Sequence, residues 1–199
     1  SWESIVVDDG STESSTVNLN QSQLLLLHTA KNFGKGHAIR IGIDAAMGEY
    51  IIFSDIDFSV PIVHLPQFLS ALRKFDVAIG SRRLSGSQIV KHQPLLRESL
   101  GRGFTKLSNL FLGLNHSDLT CGFKAFRANT AKGLFSRQRL NGWAFDSEIL
   151  FLAKKLNYTV AEIPVSWHND PHTKVKLIRD TLTALISLPQ IRFIHSWIG

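Results

Sequence analysis

Two aspartates, Asp55 and Asp57, have the clearest chemical signature in the sequence, because they directly follow an apolar segment over 50–54. The β-branched and aromatic side chains of that segment predict a β-strand. A bend at the carboxyl end of a strand lets two carboxylates converge on one hard cation, which can also bind a diphosphate. The pair therefore predicts a metal site, although an ordinary Asp-rich turn has the same local sequence.

The same arrangement recurs near the N-terminus, where the strand-like segment Ser4–Val7 leads into Asp8 and Asp9 and then into Gly10 and Ser11. In an open α/β sheet, ligands bind outside the carboxyl ends of the strands. Two strands that end in carboxylates therefore predict one shared crevice for a polar, metal-bound ligand.

A glycine-rich turn, Gly34-Lys35-Gly36, lies between these two segments and opens a helix expected over 35–46. Backbone N–H groups exposed at a helix N-terminus favour anions, and a nearby lysine adds to that preference. The turn is therefore a candidate phosphate site. Its spacing is not that of a P-loop, and a plain turn is the alternative.

Strands and helices alternate along the chain, which predicts an α/β fold with a mostly parallel sheet. The predicted strands are 4–7, 24–28, 50–54, 77–80 and 159–163, and the predicted helices are 35–46, 64–73, 97–112 and 146–156. One face of the third helix is apolar and comprises Leu100, Phe104, Leu107 and Phe111. Residues 84–94 show no periodicity and are expected to be irregular.

Six segments, taken in order, carry a resemblance to a known family. They are Val7–Ser11, Asn32–Arg40, Asp55–Asp57, Gly80–Arg82, Thr120–Lys124 and Trp143–Glu148. Their order resembles that of family 2 glycosyltransferases, and more narrowly that of the dolichyl-phosphate glucosyltransferases and dolichyl-phosphate mannose synthases. The resemblance implies a GT-A fold, which is a Rossmann-like α/β nucleotide-diphospho-sugar transferase fold with a mostly parallel central sheet flanked by helices.

The resemblance also implies a reaction. A hexose, glucose or mannose, would pass from a nucleotide-diphosphate sugar such as UDP-glucose or GDP-mannose to a polyprenyl or dolichyl phosphate, with inversion at the anomeric carbon. Asp57, with Asp55 beside it, would hold a divalent cation, Mg or Mn, that stabilises the departing diphosphate. Asp8, Asp9 and Lys35, together with Asp55, would contact the donor nucleotide.

On the acceptor side, the attacking group would be a phosphate that is already anionic at neutral pH, so that it needs charge neutralisation more than a base. Arg82 and Arg97 match the family positions for this task, and Arg102 and Lys174 are further candidates. Asp146 is expected near the reaction centre. It could act as a base or only orient other groups, and a simple helix N-cap is the alternative.

Two features of the sequence bear on which member of the family it resembles. In mannose synthase relatives a Gln follows the second metal-binding Asp by two positions, whereas this chain has Ser59 there. Together with Pro61, this departure leans slightly towards the glucosyltransferase branch. It also leaves the composition of the metal site open.

Composition sets independent bounds on the fold and on the partner. With 199 residues, 44% of them hydrophobic, the chain is long enough for one well-buried domain. The formal net charge of +6 indicates an anionic partner. A membrane surface or a phosphorylated substrate ranks ahead of nucleic acid, because no zinc-ligand spacing of cysteines is present. Cys121 is the only cysteine, so no internal disulfide can form.

The expected organisation is a single catalytic domain over 1–199. The resemblance implies that the strand beginning at Ser4 corresponds to the second strand of the relatives, so that their first strand, with part of the donor pocket, is expected to be absent. From about 174 to the end the chain is basic and amphipathic, and Pro189 is expected to divide this tail into two short segments. The tail suits a membrane interface, or it packs on the domain as an ordinary helix.

No stretch of the sequence reaches the roughly eighteen apolar residues that span a bilayer. The chain as given is therefore expected to be soluble or peripheral. The expected location is the cytoplasmic face of a membrane, with a full-length protein that is possibly membrane-anchored. Two alternatives to the lipid phosphate reaction stay open. One is a family 2 enzyme that glycosylates a hydroxyl group on a polysaccharide or protein, and the other is an inactive module that binds a nucleotide sugar or lipid.

Overall fold

The computed structural model describes residues 1–11, 23–169 and 177–198. In the last range, side chains are described from residue 182 onward. The strands are β1 (Ser4–Asp8), β2 (Leu24–His28), β3 (Tyr50–Ser54), β4 (Val77–Ser81), β5 (Gln88–Lys91), β6 (Phe123–Arg127), β7 (Val160–Pro164) and β8 (Ser166–His168). The helices are α1 (Lys35–Ala45), α2 (Leu65–Ala71), α3 (Leu95–Leu112), α4 (Ala128–Phe135), α5 (Phe145–Lys155) and α6 (Leu177–Ile194).

The central sheet has the strand order β3-β6-β4-β7. Strand β6 is antiparallel to both of its neighbours, whereas β4 and β7 are parallel. Three of the four strands therefore run in one direction. Two further strand pairs, β1 with β2 and β5 with β8, are also parallel. The fold is thus the predicted α/β arrangement, with β6 as an antiparallel exception inside the sheet.

Helices cover both faces of the central sheet, as the alternation of side chains along a strand requires. Val77 and Ile79 of β4 belong to a large apolar cluster that contains buried side chains of α4 and α5. Ala78, which points to the opposite face, belongs to a second cluster with Phe68 and Leu72 of the α2 region. The strands that carry the predicted site are therefore held in a rigid frame.

The face that α3 buries differs from the apolar face that was predicted for it. Phe104 is buried as expected, but Leu107 and Phe111 are partly exposed. Thr105 and Ser108 are buried in their place, and Ser108 Oγ lies 3.4 Å from Ser147 Oγ of α5. Helix α3 thus presents polar side chains to the neighbouring helix and keeps an apolar strip at the surface.

The C-terminal helix α6 continues through Pro189, so the prediction that this residue divides the tail into two segments is wrong. A proline inside a helix removes one backbone hydrogen bond. Burial of Leu188 and Ile191 on either side of it stabilises the continuous helix against α3 and α5. None of the helices in the described ranges is both long and apolar enough to cross a bilayer.

Candidate active site

Asp55 lies at the carboxyl end of β3, against the loop that precedes β6. Its backbone N–H donates to the carbonyl of Gly122 at 3.1 Å. A Cβ at Gly122 would overlap the Asp55 carboxylate, so only glycine permits this close approach. The Asp55 backbone is therefore bonded to the loop before β6, and its carboxylate packs against Gly122.

Lys35, from the first turn of α1, forms an ion pair with Asp55 in which Nζ and Oδ1 are 2.6 Å apart. The same Nζ lies 5.1 Å from the centre of the Trp143 ring. Burial acts to lower the pKa of Lys35, but the charges of Asp55 and Asp146 outweigh it, so that the pKa is raised. The structure thus places the protonated lysine of the glycine-rich turn beside the carboxylate of Asp55, the first Asp of the pair.

Asp57 is exposed, and its carboxylate accepts a hydrogen bond from the backbone N–H of Ser59 at 2.9 Å. The intervening Phe58 has φ of 47°, in the left-handed region that large side chains rarely adopt. Strained conformations of this kind occur preferentially at functional sites. The turn leaves the Asp57 carboxylate exposed, in contrast to Asp55, which is paired with Lys35.

The donor set at this turn fits a hard cation that arrives with a diphosphate. In the described ranges, no group of three or more His, Cys, Asp and Glu side chains could hold a metal ion by itself. Mg²⁺ is commonly held by one or two carboxylates, with the other positions filled by phosphate oxygens and water. Asp55 and Asp57 supply that number of carboxylates.

Asp9 uses its carboxylate to hold the glycine-rich turn. It accepts hydrogen bonds from the backbone N–H groups of Phe33, at 3.0 Å, and Gly34, at 2.7 Å. Asp8 accepts from the backbone N–H of Ser11, and hydrogen bonding to Ser11 lowers its pKa. Both aspartates lie at the carboxyl end of β1, in a two-stranded sheet that is separate from the central sheet, and Asp9 is engaged in positioning the chain. Its contact with a nucleotide stays a prediction.

The loop before α5 also supports the glycine-rich turn. The carbonyl of Asn141 accepts the backbone N–H of Gly36 at 2.7 Å. A Cβ at Gly36 would lie 2.8 Å from the carbonyl of Leu140, so the two backbones are in close contact. The N–H of Gly36 is therefore already bonded, and phosphate recognition at this turn would depend on Lys35.

Glu148 holds the other end of the same loop. Its two oxygens accept the backbone N–H groups of Arg139 and Leu140, each at 2.8 Å, and one of them lies 2.7 Å from Nε2 of His195. Glu148 and His195 are both buried. Glu148 is thus a positioning residue that connects the C-terminal residues to the loop beside Lys35.

Asp146 is buried and forms an ion pair with Lys124, with Nζ and Oδ1 2.6 Å apart. Lys124 also donates to the carbonyl of Cys121 at 2.7 Å. Burial raises the pKa of Asp146, and the cations Lys124 and Lys35 oppose that rise. Asp146 lies close enough to Lys35 and Asp55 for their charges to act on it, and its side chain is engaged by Lys124. Sequence analysis named the segment that contains Lys124 and missed this role. The position of Asp146 near the reaction centre stays a prediction.

Arg82 is held by Asp118, a residue that sequence analysis did not select. Its Nε and Nη2 donate to the two carboxylate oxygens at 2.6 and 2.9 Å, and Nη2 also donates to the hydroxyl of Thr120 at 2.9 Å. Asp118 is fully buried. Burial acts to raise its pKa, but Arg82 holds it far below its usual range. Arg82 is therefore committed to a buried, bidentate pair.

A pocket opens next to this pair and is called the arginine pocket below. Its walls are formed by Arg82, Arg83, Ile89, Gln93, Glu98, Arg102 and Trp167. Two predicted acceptor residues, Arg82 and Arg102, meet here with a third arginine that the sequence reasoning missed. The doubled arginine after the Gly80-Ser81 pair was the available signal. Arg97 lies on α3 next to Glu98, and Lys174 is outside the described residues.

Comparison with known proteins identifies a family and curated relatives. The family model described as glycosyl transferase family 2 matches residues 1–135. The chain is 31% identical to a dolichyl-phosphate beta-glucosyltransferase of Saccharomyces cerevisiae, with 98% of this chain and 65% of that protein covered. It is 32% identical to a protein of the same name from Dictyostelium discoideum, with 97% of this chain and 63% of that protein covered.

Solved structures share the fold at low sequence identity. Glucosyl-3-phosphoglycerate synthase from Mycobacterium tuberculosis, in complex with phosphoglyceric acid, aligns with a TM-score of 0.67 at 18% identity, over 94% of this chain and 68% of that one. The same enzyme in complex with Mn²⁺ and UDP-glucose aligns with a TM-score of 0.65 at 17% identity, over 92% of this chain and 67% of that one. These likenesses establish a GT-A-like fold.

The chain spans less than two thirds of the length of the two curated relatives described above. The family model nevertheless covers the glycine-rich turn, both aspartate pairs, Arg82 and Lys124. Among these residues, Asp9 bonds to the glycine-rich turn, and Lys35 of that turn pairs with Asp55. This chain belongs to glycosyl transferase family 2.

Proposed function

We propose that the protein is a glycosyltransferase that moves a hexose from a nucleotide-diphosphate sugar to a polyprenyl or dolichyl phosphate, with inversion at the anomeric carbon. Glucose from UDP-glucose is the preferred donor in this proposal, because the relatives at 31–32% identity are named dolichyl-phosphate beta-glucosyltransferases. The observation that carries the proposal is the combination of an engaged Asp146 with an arginine-lined pocket.

The donor side is formed by Asp55, Asp57 and Lys35. Lys35 stays protonated and lies beside Asp55, so that it can bind a phosphate oxygen of the donor. The open carboxylate of Asp57 and that of Asp55 would hold a divalent cation, Mg or Mn. Such a cation, when bound, supplies Lewis-acid stabilisation of the negative charge on the departing diphosphate.

The acceptor side favours a nucleophile that arrives already ionised. A hydroxyl acceptor needs a base to remove its proton, and a base must be free to reach it. Asp146 is buried against Lys124 and would first have to break that ion pair. A phosphomonoester has no such need, because its second pKa is near 6 and it is anionic at neutral pH. Guanidinium groups that line its approach would neutralise its charge.

Peripheral binding to a membrane forms part of the proposal, because the acceptor is a lipid. The apolar strip of α3 and the outer face of α6 lie next to each other, since Arg192 donates to the carbonyl of Phe111 at 2.9 Å. Leu110 is 75% exposed and Phe193 is 82% exposed. Exposed apolar side chains beside a basic residue are typical of surfaces that bind the interface of an anionic bilayer.

The direct test is transfer of label from a panel of UDP- and GDP-sugars to a polyprenyl phosphate in the presence of Mg or Mn. A chloroform-soluble labelled product would support the lipid phosphate reaction and identify the donor. Donor hydrolysis without a lipid product would contradict the acceptor and favour a hydroxyl acceptor. Donor binding without any turnover would favour an inactive binding module.

A further inference from the structure

The arginine pocket, which contains candidate residues for the acceptor phosphate of the proposed reaction, is also lined by the carboxylate of Glu98. Glu98 accepts a hydrogen bond from Arg102 Nη2 at 2.6 Å, and its other oxygen lies 3.5 Å from His92 Nδ1. It is thus an anion among cationic side chains. The pair lies on α3 with a spacing of four residues, and the side chain of Arg102 is 59% exposed, whereas that of Glu98 is 17% exposed. Helix pairs with this spacing and one exposed partner contribute little to stability.

Arg83 contributes a guanidinium group whose hydrogen-bond partner is neutral. Its Nη1 donates to the carbonyl of Ser117 at 2.9 Å. Burial lowers the pKa of Arg83, Asp118 opposes that effect, and the nearby charges of Arg82 and Arg102 lower it further. Additional negative charge in the pocket would therefore relieve repulsion between guanidinium groups.

We propose that Glu98 occupies the position of the acceptor phosphate, that the acceptor displaces it, and that Arg83 and Arg102 then bind the phosphate. The inference rests on the proposed function, since it assigns residues and a competing anion to its acceptor. The exchange is favourable in charge, because a carboxylate carries one negative charge and a phosphomonoester about 1.5 to 2 at neutral pH. Phosphate oxygens also match the planar fork of a guanidinium group.

The residues that line the pocket favour a ligand that has both a phosphate and an apolar group. Ile89 and Trp167 line it beside the arginines. Leu95 lies three residues before Glu98, on the same face of α3, and is 81% exposed. A ligand with a hydrocarbon chain next to its phosphate would cover these apolar surfaces. Inorganic phosphate would leave them in water.

Glu98 also has an ordinary structural explanation, which the test has to separate from the proposal. It lies in the first turn of α3, where the helix dipole favours a carboxylate. A purely structural role predicts that Glu98→Gln lowers stability and leaves the KM for acceptor unchanged or raised. Displacement by the acceptor predicts the opposite sign for KM.

The experiment measures KM for polyprenyl phosphate and for donor in the wild-type protein, Glu98→Gln and Arg83→Gln. Glu98→Gln should lower the acceptor KM by about two- to fivefold. Arg83→Gln should raise it by about tenfold or more. The donor KM should stay the same in both. Matched controls are Glu49→Gln, an exposed carboxylate outside the pocket, and Arg137→Gln, whose guanidinium likewise donates to a carbonyl.

Wild-type transfer to polyprenyl phosphate with unchanged acceptor KM in both variants would overturn the inference and leave the proposed function standing. If the wild-type protein transfers no sugar to lipid, the proposed function fails. Calorimetric titration with a short-chain isoprenyl phosphate then tests whether the arginine pocket binds such a phosphate. Tighter binding by Glu98→Gln than by wild type would support the assignment. Equal binding, or none by either protein, would overturn it.

Discussion

Two arginine–carboxylate pairs lie side by side in this protein. They contain the same charged groups but differ in burial and in the number of hydrogen bonds. Arg82 and Asp118 form a bidentate pair with a fully buried carboxylate, whereas Arg102 and Glu98 form a single contact in which the arginine is 59% exposed. Both shortest distances are 2.6 Å. Burial, and not distance, therefore determines which arginine is part of the framework and which can exchange its partner for a ligand.

The same contrast applies on the donor side. Asp55 is paired with the mostly buried Lys35, whereas Asp57, two residues further, is exposed and bonded only to the backbone of Ser59 among the described hydrogen bonds. In both regions a fixed pair lies next to an open group of the same type. On the donor side, the open Asp57 can meet a charged ligand without breaking any ion pair of the described residues. Asp55 and Lys35 are also proposed to meet the ligand, but they start from a formed pair.

Arg82→Ala should have the largest effect on stability, because it leaves the Asp118 carboxylate buried without its main partner. Breaking a buried pair in this way costs about 3–5 kcal/mol in the free energy of unfolding. Arg102→Ala, the matched substitution in the open pair, should cost only about 0.3–0.5 kcal/mol. Urea denaturation of the two variants measures the difference. Similar losses in both would break the comparison between buried and open pairs.

Asp57→Asn should have the largest effect on activity with little change in stability. Loss of a ligand to a divalent cation removes several kcal/mol of charge stabilisation, so transfer should fall about a thousandfold. The side chain is exposed, so the free energy of unfolding should change by about 0.5 kcal/mol or less. Steady-state kinetics and denaturation report the two quantities. Asp44→Asn, on an exposed aspartate of α1, is the control. Retained turnover by Asp57→Asn would contradict the assignment of this carboxylate.

His195→Ala tests a third buried pair, which acts through Glu148. Removing the imidazole takes one of three donors from the Glu148 carboxylate, at a cost of about 1–3 kcal/mol. Because Glu148 also holds the loop beside Lys35, the donor KM should rise while the acceptor KM stays the same. His195→Gln, which can still donate to the carboxylate, should restore both quantities in part. A rise in acceptor KM instead would contradict the coupling.

The smallest expected effect concerns the reactivity of the Cys121 thiol. Burial raises the pKa of this thiol to about 11. The thiolate is the reactive form, so the folded protein should react with iodoacetamide at pH 8 much more slowly than the urea-unfolded protein does. Mass spectrometry of the alkylated peptide measures both rates. Fast alkylation of the folded protein would mean that the core beside Arg82 and Asp118 opens more readily than the buried pair implies.

Periodicity and turn chemistry predicted many of the strands and helices. Strands β2 and β3 have the predicted bounds, and α1, α3 and α5 differ from their predicted bounds by one or two residues. Strand β6 was missed, because it contains Lys124 and passes directly into α4 without a turn signal. Lys124 is tolerated there only because Asp146 neutralises it, which is a contact between distant parts of the chain.

Several segments selected from the sequence meet in the structure, but the pairing of their side chains could not be predicted. Asp9 accepts a hydrogen bond from Gly34 of the glycine-rich turn, and Lys35 of that turn pairs with Asp55, although β1 and β3 belong to different sheets. Whether an arginine is free or committed depends on a partner far along the chain. Arg82 and Asp118 are 36 residues apart, and no local pattern links them. The face of α3 was misjudged for a related reason, because its buried Ser108 lies against Ser147 of a distant helix.

The most direct test of the central claim compares two acceptors that differ only in their phosphate. Transfer of glucose from UDP-glucose is measured with a polyprenyl phosphate and with the polyprenol of the same length. The account predicts a labelled lipid product from the phosphate and none above background from the alcohol, since Asp146 is held by Lys124 and the pocket is lined by arginines. Equal or faster transfer to the alcohol would contradict it.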